Sequence, residues 1–158
     1  MFAQLLDSWT SLYSNHAAIR TAVEFAHIAA LTAGGGAAIA ADLATLASSR
    51  RDAAARVDHA ELLARTHLLA IAGLTVLFIS GLLLLGADVD TYWPSRIFWI
   101  KMGLVLLLLL NGVFLRRSEG RVGAGDPTAW PPLRRAATIS LVLWSLTTLA
   151  GAALPNIG

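Results

Sequence analysis

Long apolar runs broken by short polar stretches dominate the chain, and their lengths predict its elements. A helix needs about 20 mostly apolar residues to cross a hydrocarbon core about 30 Å thick. Four stretches satisfy this. Leu68 to Ala87 is uncharged, and so is the stretch from Ala136 to the end of the chain. The stretch from Ile97 to Leu115 is interrupted only by Lys101. The stretch from about Thr21 to Ala47 differs from these: it is rich in alanine, carries Glu24, His27 and Asp42, and holds Gly34, Gly35 and Gly36 at its centre. Small residues let backbones approach closely in a bilayer, so this helix is expected at the middle of the bundle. The predicted spans are 19-48, 60-87, 96-117 and 134-155.

Ahead of the first span, Phe2, Leu5, Leu6, Trp9, Leu12 and Tyr13 recur at the spacing of one helical face. No Lys or Arg precedes Arg20, so the basic start of a secretory signal is missing and the segment is expected to be retained. It reads as a short amphipathic helix over 2-14, lying in the membrane interface, with Ser14 or Asn15 capping the first span. The fold class is therefore an all-α polytopic membrane protein: a four-helix transmembrane bundle with an interfacial N-terminal helix, in a single membrane domain.

Composition supports this reading. The chain has 158 residues, of which 56% are hydrophobic and 14% charged, whereas soluble chains carry about 25% charged residues. The absence of cysteine removes disulfides, thiolate metal sites, iron-sulfur clusters and cysteine nucleophiles. No glycine-rich phosphate loop or nucleophile motif is present, so no enzymatic activity is expected.

Charge sets the expected orientation. Arg20, Arg96 and Lys101 lie toward the end that carries both termini. Arg50, Arg51, Arg56, Arg65, Arg116, Arg117, Arg121, Arg134 and Arg135 lie toward the other. Nine against three predicts that the arginine-rich end is cytoplasmic and that both termini are outside, periplasmic in a bacterial inner membrane. Basic residues placed beside apolar runs flank a membrane and do not imply nucleic acid. Tyr92, Trp93 and Trp99 are expected at the outer interface and Trp130 at the inner one. Ser48 to Arg65 reads as helical extensions of the first two spans, and Ser118 to Pro132, with its Gly and Pro residues, as a flexible loop.

Ionisable groups inside a bilayer are costly and are candidates for function by default. By depth, Glu24, His27 and Lys101 share an outer layer, with His16 just above it. Asp42, Arg65 and His67 share an inner one. Glu24 and Asp42 are eighteen residues apart, five whole α-helical turns, which predicts a single charged stripe facing the other helices. Depth also separates His27 from His67, so the two cannot ligate one haem iron within a protomer. Glu24 and Lys101 read equally as a buried ion pair that fixes register or as part of a site. His16, Glu24 and His27 are candidate ligands for copper(II) or zinc, since the soft ligands that select copper(I) are almost missing. His59, beside Asp58 and Glu61, reads as solvated, and Asn111 as a helix-to-helix hydrogen bond.

The segment Glu24-Phe25-Ala26-His27 before a glycine cluster, the stretch Thr75 to Gly81, and Arg96-Ile97-Phe98-Trp99-Ile100-Lys101 followed by Asn111 and a basic pair resemble the CopD-type copper-resistance membrane domain. With Asp42-Leu43 at the end of the first span, the chain is also similar to uncharacterised four-helix bacterial membrane families. The resemblance covers about residues 20 to 120. It implies an inner-membrane protein linked to copper handling, with His27 and Lys101 as the residues carried over. Three functions are then open. One is a metal-ion binding or transport accessory using the outer cluster. Another is an electron-transfer subunit that binds haem b through His27 with a partner chain, or a quinone. The third is a structural subunit of a homo-oligomer or larger membrane complex.

Overall fold

A computed structural model describes residues 2–48 and 53–157, with side chains over 4–48, at 66 and over 69–156. Every regular element among these residues is helical. Four helices are long and apolar enough to cross a membrane: Ala17–Ser48, Leu69–Ala87, Arg96–Gly123 and Pro127–Asn156. The protein is thus a multi-pass membrane protein built as an all-α bundle. Its surface carries the signature of lipid contact, with Phe25 70% exposed, Phe78 64% and Leu149 66%. Large apolar side chains turned outward in this number are stable only where the solvent is itself apolar.

The N-terminal helix, Phe2–Asn15, is joined to the second span by two side-chain bonds. Trp9 Nε1 donates to the Leu83 carbonyl at 2.8 Å, and Thr10 Oγ1 donates to that of Gly86 at 3.2 Å. Gly86 belongs to the last turn of the second span, where no further helical amide follows to take up its carbonyl. The helix thereby lies across the terminal end of the bundle. The cap of the first span differs from the expected Ser14 or Asn15. His16 holds that position with extended backbone, and its side chain does not cap; Nδ1 turns back to the Leu12 carbonyl at 3.1 Å.

The first span carries a π turn over Leu31–Gly35, immediately before Gly36. Such a turn inserts one extra residue, roughly 100° of rotation at 3.6 residues per turn. The arithmetic of five whole turns therefore fails: Asp42 is 4% exposed whereas Glu24 points outward. The π turn also brings its glycines into contact with both neighbours. A methyl on Gly34 would lie 2.7 Å from Gly73 Cα in the second span, and one on Gly35 would lie 3.0 Å from the Trp144 ring in the fourth.

The second span belongs to one continuous helix, Ala53–Ala87. The third, Arg96–Gly123, opens on a Ser95 cap that accepts from the Phe98 amide at 3.2 Å, and runs past the expected end at 117. Most of the stretch expected as a flexible loop is therefore helix. Pro131 and Pro132 lie in the first turn of the helix Trp130–Ile157, where a missing amide costs nothing. The short connection that remains is tied by Asp126, which receives Arg121 at 3.0 and 2.6 Å and the Thr128 amide at 2.9 Å. Those bonds, with Thr128 first and Arg121 next, hold the Asp126 carboxyl down at about 2.

Two apolar clusters close the bundle. Val122, Ala129, Trp130 and Leu133 seal the third and fourth spans at the arginine-rich end. Trp130, expected at the interface, is buried there. Leu108, Leu143 and Trp144 gather Leu31, Ile39, Leu74 and Leu77 at mid-depth. Asn111 makes its expected cross-helix bond, donating from Nδ2 to the Ala136 carbonyl at 3.0 Å.

Candidate functional site

Two polar layers sit within the bundle. In the layer nearer the termini, His27 of the first span is half-buried, with Nδ1 2.9 Å from Ser80 Oγ of the second. Ser80 gives its own proton to the Val76 carbonyl at 2.7 Å, so it accepts from His27 Nδ1–H. Nε2 is then the nitrogen that carries the lone pair. The imidazole rests against Gly81, where a methyl would stand 3.7 Å from Cε1. Lys101 of the third span is its charged neighbour, and the ammonium lies against Gly151 of the fourth. Each span thus contributes to this layer.

The other expected members of the outer cluster lie elsewhere. Glu24 is exposed and accepts from Tyr13 Oη at 3.0 Å. Burial first, and the bond to this carboxylate second, push the Tyr13 phenol up to about 12. Glu24 is thereby engaged in fastening the N-terminal helix to the first span, and no ion pair joins it to Lys101. His16 is exposed at the head of the first span. Among the described residues no three His, Asp or Glu side chains lie close enough to share a metal ion, so His16, Glu24 and His27 do not form one donor set. Ser80 lies thirteen residues after His67 on one continuous helix, so His27 and His67 are about 20 Å apart along the bundle, as the depth argument predicts.

The layer at the arginine-rich end is built around a cleft of about 250 Å³ that touches all four spans. Asp42 enters it from the first span, with the Ser140 hydroxyl of the fourth beside its carboxyl. Asp42 Oδ2 is buried and meets no hydrogen-bond donor among the described residues. Glu119 of the third span is 7% exposed, lines the same cleft, and is near enough to Asp42 to repel it electrostatically. Arg116, one turn earlier, stands at the rim. Thr66 comes from the second span, and Trp144 supplies an aromatic wall held in place by Gly35. The side chains of Arg65, His67 and His59 lie outside the described residues.

Glu119, Ser140, Ser80 and Trp144 are the residues that sequence reasoning missed. A signal for Glu119 does exist. The spacing Leu104, Leu108, Leu115, Val122 continues at helical period through the arginine pair, and Glu119 falls on the same face.

A buried carboxylate oxygen without a donor costs free energy unless a cation or proton meets it. The cleft can therefore hold a positively charged group. The outer layer, where a lysine already stands beside the histidine, opposes one. No protein-family model matches this chain, and no curated protein or solved structure matches it.

Proposed function

We propose that this multi-pass membrane protein binds a cation inside the bilayer, as a binding or transport accessory, and that Asp42 is the residue that receives it. The observation that carries this reading is the unpartnered Asp42 Oδ2 on the wall of a cleft reached by all four spans. The copper or zinc function implied by the CopD-like resemblance belongs to the same class of ligand. It calls for His27 as the metal-binding residue, supported by its free Nε2 lone pair and opposed by the neighbouring Lys101. The nine-to-three distribution of basic residues supports an inner-membrane orientation with the Asp42 cleft toward the cytoplasm and both termini outside.

The test is stabilisation by ligand. A cation that binds only the folded state raises the unfolding temperature in proportion to RT ln(1 + [L]/Kd). Detergent-solubilised wild type, Asp42→Asn and His27→Ala are heated with a panel of potassium, zinc, copper(II) and organic ammonium salts. At least one salt is expected to raise the unfolding temperature of wild type and His27→Ala but not of Asp42→Asn. Loss of the shift in His27→Ala alone would move the site to the outer layer, and equal behaviour of all three proteins would end the reading.

A further inference from the structure

The lining of the Asp42 cleft narrows the class of cation. An inorganic divalent ion asks for several oxygen or nitrogen ligands, typically six or more for calcium and magnesium and four for zinc. The described residues bring two carboxylates and two hydroxyls to the cleft and nowhere gather three His, Asp or Glu side chains. Apart from Arg116 at the rim, the rest of the wall is apolar, formed by Gly112, by alanine, leucine, isoleucine and valine side chains and by Trp144. A small hydrated ion would leave most of this surface facing its water shell.

A cation with its own hydrophobic body meets both requirements. Its charge faces Asp42 and its apolar part covers the aliphatic wall. The Trp144 ring adds the aromatic surface on which ammonium groups are held. A route in is present as well. Ile71 of the second span and Leu109 and Val113 of the third line the cleft, yet are 44%, 45% and 51% exposed on the lipid-facing surface. The cleft wall therefore reaches the lipid-facing surface between these two spans, next to the phase in which an amphiphilic amine is concentrated.

We propose that the cleft binds a monovalent hydrophobic ammonium ion, which enters from the bilayer between the second and third spans and sets its charge against Asp42 beside Trp144. This rests on the reading of the Asp42 cleft as a cation site and names its ligand.

The purified protein in lipid nanodiscs is titrated calorimetrically with benzyltrimethylammonium, with neopentylbenzene as its uncharged isostere, and separately with potassium, zinc and copper(II). Saturable binding of the ammonium is expected, with the isostere bound at least about tenfold more weakly, the loss that goes with one desolvated cation–π contact. Asp42→Asn is expected to weaken the ammonium by a similar factor and Trp144→Leu by several-fold, with His27→Ala unchanged. Gly112 lines the cleft and has open space where a side chain would begin, so Gly112→Phe fills the cleft and is expected to abolish binding with both carboxylates intact. That variant carries the test if Asp42→Asn fails to fold. Equal binding of the isostere, or ammonium binding that Gly112→Phe leaves untouched, overturns the proposal. Metal or potassium binding lost in Asp42→Asn, without ammonium binding, overturns it while leaving the cation site standing. No cation response at Asp42 at all removes both.

Discussion

Gly34 and Gly73 meet backbone to backbone: a methyl on the first would lie 2.7 Å from the Cα of the second, and one on Gly73 would lie 2.5 Å from the Cα of Gly34. The first and second spans thus touch at a point where neither tolerates a side chain. Gly34→Ala or Gly73→Ala is expected to destabilise the solubilised protein by about 1–3 kcal/mol, the usual cost of overpacking. Gly36→Ala meets nothing within 4 Å and gains helix propensity, so it is expected to be neutral or slightly stabilising. Thermal unfolding of the three variants separates these outcomes.

Ser80 fixes the tautomer of His27. With Ser80→Ala the Nδ1–H loses its acceptor, and a loss of about 1 kcal/mol is expected for the bond. Nitrogen-15 spectra of labelled imidazole are expected to show a single Nδ1-protonated form in wild type and a mixture in the variant. A mixture already present in wild type would refute the assignment.

Asn111→Leu removes the bond to the Ala136 carbonyl while keeping the side-chain volume close. A loss of about 0.5–1 kcal/mol is expected, the typical worth of an interhelical hydrogen bond in a bilayer. Denaturation in mixed micelles measures it.

The turn between the third and fourth spans has its own pH dependence. The Asp126 carboxyl is lowered from 3.8 to about 2 by its bonds to Thr128 and Arg121. A lowered carboxyl stabilises the folded turn fully above its ordinary value and loses that effect as pH falls through the folded one. The contribution is therefore expected to be intact at pH 4 and above and to fade toward pH 2. The Thr128 amide resonance, which reports directly on its bond to Asp126, should titrate with a midpoint near 2, and a midpoint near 4 would contradict the turn geometry.

For the proposed orientation, a cysteine at exposed Ala124 is expected to resist an impermeant thiol reagent in intact cells, whereas one at exposed Ser14 is labelled. Ser118 cannot serve as the reporter, because it is buried within the third helix and bonds the Phe114 carbonyl. Labelling at Ala124 but not at Ser14 would reverse the topology.

The spans were legible because a run such as Leu104 to Leu110 has no other stable environment, and Asn111 was legible because a lone amide in such a run must find a partner. The site was less so. Counting turns from Glu24 assumes an unbroken α-helix, and the π turn at Leu31–Gly35 carries Asp42 out of phase with it. Glu119 was hidden by its position after Arg116 and Arg117, which mark the edge of the apolar run without ending the helix. Ser80 looks like an incidental hydroxyl in the sequence; only the pairing of two helices sets it against His27. His16, Glu24 and His27 lie within three turns of one another in sequence. Each is engaged elsewhere: His16 with the Leu12 carbonyl, Glu24 with Tyr13 and His27 with Ser80.

The seam between the third and fourth spans has ties of its own: Val122, Ala129, Trp130 and Leu133 close one end of it, Asn111 crosses it, and Asp126 ties its turn. A hairpin tied in this way is able to form as one cooperative unit. Yet it is the half made last, and it carries Ser140 and Trp144, against which Asp42 is buried. During synthesis Asp42 precedes Ser140 by 98 residues, roughly 5–20 s at ordinary elongation rates. For that interval its carboxyl has no bundle around it, so the first two helices must be held, tilted toward water or kept by the insertion machinery, until the second hairpin arrives.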